Sequence, residues 1–130
     1  MTEKNVLFAG DVSLPAIGQG TWYMGENDRH RQKEVDALRA GIDLGLGLID
    51  TAEMYADGGA EEVVGEALRG GLRDKVYLVS KVYPWNAGCK KAIAACEASL
   101  RRLNTDYLDL YLLHWCGHFS LAETAEVMET

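Results

Sequence analysis

Short apolar runs alternate along this chain with segments of helical periodicity, and that alternation restricts the fold to a parallel sheet flanked by helices. Val6–Ala9 and Val12–Leu14, separated by Gly10-Asp11, read as a β-hairpin with a two-residue turn. Ala16-Ile17-Gly18 reads as a short strand leading into Gly20-Thr21-Trp22. Between Gln32 and Leu44, Val35, Leu38 and Ile42 recur at helical spacing, with Gly45 as C-cap. Leu48-Ile49 form a buried strand ending at Asp50, and the loop Asp57-Gly58-Gly59 precedes a helix over 60–68 that Gly70-Gly71 stops. Val76–Ser80 is the next strand, and Pro84 prevents its running straight into a helix. A helix over 90–103 puts Ile93, Cys96, Leu100 and Leu103 on one face; Leu108–Leu113 is a strand and 121–128 a further helix. Successive parallel strands of one sheet joined this way take right-handed crossovers.

Three of the apolar runs end in a single chemically capable residue. Leu46-Gly47-Leu48-Ile49 stops at Asp50, Val76–Ser80 at Lys81, and Leu110–Leu113 at His114. In a barrel of parallel strands wrapped by helices, the carboxyl ends of neighbouring strands open into one mouth, where active sites sit. A carboxylate, an ammonium and an imidazole delivered there, with Tyr55 just beyond the first, make an acid–base constellation and point to an enzyme. Taken singly each residue has a plainer explanation: Lys81 a solvated strand end, His114 a satisfied structural histidine, Tyr55 an amphipathic surface ring, Asp50 a cap or turn former. Their joint placement at successive strand ends is what favours chemistry. Trp22, Trp85 and Trp115 also follow strand ends, which gives the mouth an aromatic wall suited to an organic carbonyl.

The totals exclude several classes of function. With 130 residues, 48% of them hydrophobic, the chain fits one domain with a real core. Its net charge of −7 has both signs intermixed, which argues against nucleic acid and anionic membranes. No apolar run has transmembrane length and no leader follows Met1, so a cytoplasmic protein is expected. Cys89, Cys96 and Cys116 lack CxxC spacing and read as reduced thiols. Gly18-Gln-Gly-Thr-Trp-Tyr lacks the third glycine of a dinucleotide fingerprint, so a Rossmann reading fails. His114, Cys116 and His118 could in principle ligate a metal, but no metal is expected. Glu61, Glu62 and Glu66 on the second helix, and Arg101-Arg102 on the third, read as solvated charge.

Four separated stretches, LPAIGQGTW (14–22), GLGLIDTAEMYADGGAEEVVGEAL (45–68), VYLVSKVYPWN (76–86) and SLRRLNTDYLDLYLLHW (99–115), resemble the aldo-keto reductases in order and spacing, over nearly the whole chain from Val6. The nearest likeness is to bacterial members that reduce small carbonyls such as methylglyoxal or diketogluconate. The resemblance implies an α/β fold, the N-terminal half of a (β/α)8 TIM barrel, with about four βα units preceded by a β-hairpin. An eight-stranded barrel takes about 250 residues, so residues 1–130 are expected to be a partial reductase domain, cut short at its C-terminal end, with unpaired edges near Ile17 and Leu110 open to homo-association.

The resemblance further implies NADPH-dependent reduction of aldehydes or ketones to alcohols, with a catalytic tetrad at Asp50, Tyr55, Lys81 and His114. It places Gly20, Thr21, Trp22 and Asp50 at the nicotinamide end of the cofactor, and Trp22, Trp85, His114 and Trp115 around a small-molecule carbonyl substrate. The chemistry is coherent. Phenols titrate near about 10 and exchange protons slowly at neutral pH, and a neighbouring ammonium stabilises the phenolate. Asp50 would orient Lys81, a neutral His114 would donate to the carbonyl oxygen, and Tyr55 would act as general acid. This requires the Lys81 ammonium within about 6 Å of the Asp50 and Tyr55 oxygens. The hydride must come from a cofactor. An alternative is a non-catalytic half-barrel serving as a binding or assembly module, because fold alone does not guarantee activity. Nothing in the sequence forms an Arg/Lys clamp for a 2′-phosphate.

Overall fold

A computed structural model describes residues 4–130. Strands β1 (Asn5–Phe8) and β2 (Val12–Pro15) form an antiparallel hairpin, followed by a four-stranded parallel sheet in the order β3 (Gln19–Gly20), β4 (Leu48–Asp50), β5 (Tyr77–Val82), β6 (Leu110–Leu113). Helices α1 (Arg31–Asp43), α2 (Gly59–Ala67) and α3 (Cys89–Leu103) connect the strands, and α4 (Leu121–Met128) follows β6. Sequence order equals spatial order across the sheet, as repeated strand–helix crossovers require.

The pleat sorts β5 into two faces. Leu78, with Ile49 of β4, packs on Val35, Leu38 and Ile42 of α1, on Val63, Val64 and Ala67 of α2, and on Leu103 of α3. Val82 joins Ala87 and Ala95, with Tyr111 and Leu113 of β6 against them. Even-numbered β5 residues therefore face the helices, which turns Val79 and Lys81 to the opposite, concave face. Gly65 lets α2 approach α3: a Cβ there would fall on the Arg102 carbonyl oxygen and 2.9 Å from Leu103 C. The capping box of Ser120 and Glu123 starts α4.

Several expectations need correction. The hairpin turn holds three residues, because Phe8 pairs with Val12, and Ala9 and Gly10 in it both take positive φ. The strand expected at Ala16–Gly18 lies at Gln19–Gly20 instead, abreast of Ile49 and Asp50, while Ile17 is 68% exposed outside the sheet. Gln19 is anchored there by Nε2, which donates to the carbonyls of Leu38 and Leu46 at 3.2 and 3.0 Å. The buried face of α3 is Ala92, Ala95, Ser99 and Leu103, whereas Ile93 is exposed and Cys96 and Leu100 are only partly covered. Small residues let this helix sit close to its neighbours, and the bulkier apolar residues that dominate the sequence pattern fall beside the contact.

The largest correction concerns charge. Glu61 is wholly buried, accepting from Ser80 Oγ at 2.6 Å and from Arg102 Nε at 2.6 Å. Arg102 also reaches Ser99 Oγ at 3.3 Å. Neither residue is a freely solvated charge: together they tie α2, α3 and β5 behind the sheet. Glu66 is likewise bound, by Arg31 at 2.8 Å.

Candidate active site

The carboxyl ends of β3 to β6 bring the polar strand-end residues together. Parallel pairing sets Gly20 beside Asp50, Asp50 beside Val79, and Lys81 beside Leu112. Lys81 Nζ lies 2.8 Å from Asp50 Oδ2, 3.0 Å from the Thr51 carbonyl oxygen and 3.2 Å from the Tyr55 hydroxyl. An ammonium has three N–H donors, and here each has an acceptor. The Lys81 side chain is 13% exposed and that of Asp50 43%, so one carboxylate oxygen holds the cation while the group stays open to the mouth. The separation falls well inside the roughly 6 Å over which such charges couple.

Tyr55 is delivered by the turn Tyr55–Gly58, in which Ala56, Asp57 and Gly58 all have positive φ. Left-handed non-glycine residues cost free energy and persist only where the surroundings enforce them. Gly25, with φ +78°, is one such enforcer: a side chain there would press on the backbone of Gly59 and lie 2.7 Å from Ala60 N. This packs the loop bearing Trp22 against the start of α2, next to Tyr55.

His114 extends the β6 pairing through its amide, which donates to the Val82 carbonyl at 3.1 Å. Its ring stands edge-on to Tyr55, with centroids 5.7 Å apart. Nδ1 is buried without a hydrogen-bond partner. Burial first, and the positive charge of Lys81 second, hold the imidazole below its ordinary titration range, against the opposing pull of Asp50 and Glu53. The ring is therefore neutral near pH 7, with its proton on one nitrogen.

Thr21 is fully buried, and its amide and hydroxyl both donate to the Asp50 carbonyl, at 3.1 and 3.0 Å. It fixes the backbone between Gly20 and Trp22 instead of presenting its hydroxyl to the mouth. A Cβ at Gly20 would meet nothing within 4 Å, so open space adjoins the Asp50 backbone. Trp22 is 61% exposed, stacks on Tyr23 at 4.7 Å, and lies 6.4 Å from the Tyr55 ring. Opposite, Trp85 stacks on Tyr83 at 4.3 Å and meets Trp115 edge-on at 6.0 Å, and Trp115 lies 4.8 Å from His114. The rim is thus a continuous series of rings, Tyr23–Trp22–Tyr55–His114–Trp115–Trp85–Tyr83.

Sequence reasoning overlooked Tyr23, Tyr83 and Glu53. The two tyrosines adjoin tryptophans in the segments Trp22-Tyr23 and Tyr83-Pro84-Trp85, a signal that was available. Glu53 stands between Ala52 and Met54, and the structure buries it. Among the described residues, no group of three or more His, Cys, Asp or Glu is arranged to hold a metal ion. The His118 ring lies tilted against Phe119, with centroids 4.3 Å apart. No helix among them is long and apolar enough to cross a membrane.

Comparison with known proteins identifies the family. The model of the Aldo/keto reductase family matches residues 16–130. Methylglyoxal reductase YeaE of Escherichia coli K12 is 75% identical over 129 residues, which cover 99% of this chain and 45% of that protein. Aldo-keto reductase YhdN of Bacillus subtilis is 39% identical over 131 residues, covering 91% of this chain and 40% of that one. The crystal structure of an aldo/keto reductase from Klebsiella pneumoniae in complex with NADP and acetate superposes with a TM-score of 0.93 at 67% identity, covering 98% of this chain and 45% of that one. The chain spans less than half the length of these relatives. The family model spans residues 16–130 and a relative is 75% identical over 99% of the chain, so the chain belongs to the aldo/keto reductase family.

Proposed function

We propose that residues 1–130 form the first half of a (β/α)8 reductase barrel whose complete form reduces aldehydes or ketones to alcohols with NADPH. The observation that carries this reading is the Lys81 ammonium, saturated by Asp50, the Thr51 carbonyl and the Tyr55 hydroxyl. A relative named for methylglyoxal reduction and a neighbour crystallised with NADP support it.

The cofactor-facing residues have the chemistry that a nicotinamide nucleotide needs. Asp50 keeps a half-exposed carboxylate able to accept from a ribose hydroxyl while it holds Lys81. Gly20 leaves open space beside it, and Trp22 offers an exposed aromatic face. Thr21 fixes both neighbours through the Asp50 carbonyl. Among the described residues, Arg31, Arg73 and Arg102 are engaged with carboxylates, and Arg39 with carbonyls of residues 66, 67 and 69. The family resemblance implies that most contacts to the phosphates lie in the second half of the barrel. When bound, the cofactor supplies the hydride that reduces the carbonyl carbon.

The protein's part is positioning and proton transfer. A carbonyl oxygen placed between Tyr55 and His114 receives a hydrogen bond from the neutral imidazole and a proton from the Tyr55 hydroxyl. Lys81, fixed by Asp50, stabilises the phenolate that remains. Trp22, Trp85 and Trp115 flank the organic portion of the substrate and exclude water. The free thiols of Cys89, Cys96 and Cys116 fit a cytoplasmic setting.

The test is Tyr55→Phe in the complete barrel. Carbonyl reduction should fall by at least about 100-fold, at the low end of general-acid contributions, while NADPH affinity measured by fluorescence is unchanged. Turnover close to that of the parent would refute the assignment.

A further inference from the structure

The segment that carries Asp50 and Tyr55 also carries Glu53, only 7% exposed at the head of the site. A carboxylate removed from water must be matched by donors. Its donors lie on a different element: Glu53 Oε1 accepts from the Tyr83 amide at 2.6 Å and from Asn86 Nδ2 at 3.1 Å. The Glu53 amide itself donates to the Lys81 carbonyl at 3.3 Å.

Tyr83 and Asn86 bracket the turn that follows β5, where the Asn86 amide donates to the Tyr83 carbonyl at 3.0 Å. This turn bears one whole wall of the mouth. Tyr83 and Trp85 stack at 4.3 Å, and both meet Trp115 edge-on, at 6.3 and 6.0 Å. The wall is weakly held by its surroundings, since Trp85 and Trp115 are 50% and 43% exposed. β-Pairing ends just before it, with the His114 amide on the Val82 carbonyl. One carboxylate oxygen thus joins the segment that delivers Tyr55 to the turn that delivers Trp85.

We propose that Glu53 is a positioning residue that sets the Tyr83–Trp85–Trp115 wall relative to Tyr55 and Lys81, and so governs the fit of planar carbonyl substrates without touching them. The consequence for substrates rests on the reductase reading; the dependence of the wall on Glu53 does not. Without the carboxylate, the Tyr83 amide and the Asn86 side chain lose their common acceptor, water takes its place, and the turn is released from the Tyr55 segment. An amide oxygen at the same position accepts from both donors, so Glu53→Gln should rescue what Glu53→Ala loses.

The experiment has an optical arm on this chain and a binding arm on the complete barrel. In a Trp22→Phe background the near-ultraviolet circular dichroism reports Trp85 and Trp115. Glu53→Ala should lose most of that signal at unchanged far-ultraviolet intensity. Acrylamide quenching should rise about twofold as stacked rings open to solvent. Glu53→Gln should restore both readouts, and Ser80→Ala, which weakens the fold behind the sheet, should change neither. A folded Glu53→Ala with the parent's optical properties would overturn the proposal. Should Glu53→Ala not fold, Asn86→Ala decides: loss of the near-ultraviolet signal supports the tie, and a parent-like signal overturns it. In the binding arm, complete barrels with Trp22 intact are titrated with 4-nitrobenzaldehyde and, separately, with NADPH. Weaker aldehyde binding by Glu53→Ala, rescued by Glu53→Gln at constant NADPH affinity, is the expected result. Unchanged aldehyde affinity despite a displaced wall would overturn the control of fit. If the parent complete barrel binds neither compound, the reductase reading fails, and the optical arm still judges Glu53.

Discussion

Replacing Arg102 with methionine strands a carboxylate that has no route to water. Glu61 is fully buried; its Oε2 loses the guanidinium at 2.6 Å, and its Oε1 keeps only Ser80 Oγ at 2.6 Å. Breaking a buried ion pair from one side costs about 3–5 kcal/mol. The lower end applies, because the Ser80 hydroxyl remains and the Arg102 side chain is 25% exposed in the intact pair. For a chain of 130 residues, an unfolding entropy of roughly 2.1 cal/mol/K per residue totals about 0.27 kcal/mol/K, so a loss of about 3 kcal/mol lowers Tm by about 11 °C. Thermal and urea unfolding followed by circular dichroism measure it. The double variant Glu61→Leu/Arg102→Met should recover at least about half of the loss, because it removes both charges together and leaves apolar groups of similar bulk. A single-variant shift below about 3 °C, or strict additivity in the double variant, would refute the argument that desolvation of Glu61 governs this site.

Gly65→Ala should cost about 1–3 kcal/mol, an overpacking penalty, because its Cβ would press on the Arg102 carbonyl oxygen and lie 2.9 Å from Leu103 C; an unchanged urea midpoint would contradict that. The His114 ring protons should titrate by NMR below the ordinary value of about 6.5, and Lys81→Met should move the midpoint upward, since the Lys81 charge is the second cause of the shift after burial. Because the folded state favours neutral His114, its contribution to stability is present above the ordinary value and is lost as pH falls through the lowered one; the fall of Tm with acidification should be shallower in His114→Gln. The Ser120 amide and then its hydroxyl hold the Glu123 carboxyl low; Ser120→Ala keeps the amide and removes the hydroxyl, so it should return the carboxyl only part of the way toward its ordinary range, as read by carboxyl NMR titration.

The alternation of strand and helix was legible because each element carries its own period, and the strand-end residues Asp50, Lys81 and His114 mark where apolar runs stop. Partners across elements were not legible. Glu61 occupies a helix position that, by charge alone, belongs in solvent. Its burial depends on Ser80 and Arg102, which are 19 and 41 positions away. The contact face of α3 was misread for a related reason. Periodicity favours the phase with the largest apolar side chains, Ile93, Cys96 and Leu100, whereas close helix packing selected the small residues Ala92, Ala95 and Ser99. Glu53 was passed over because an acid near a site invites a catalytic role or none, and its bonds to Tyr83 and Asn86 exist only once β4 and β5 lie side by side.

The alternation of β5 explains why a charge pair behind the sheet bears on chemistry in front of it. Ser80 and Lys81 are successive residues pointing to opposite faces. Ser80 is clamped to Glu61 at 2.6 Å, and Glu61 to Arg102, which ties the strand to α2 and α3. Lys81, one residue on, spends all three ammonium donors on Asp50, Thr51 and Tyr55. A fixed ammonium needs a fixed strand beneath it, since displacement along β5 would lengthen three bonds together. Loss of the Glu61 clamp should therefore loosen Lys81 without removing any group from the mouth, and it should do so from the far side of the sheet. The buried acids divide the work accordingly: Glu61 secures the strand that carries Lys81, and Glu53 secures the turn that carries the aromatic wall.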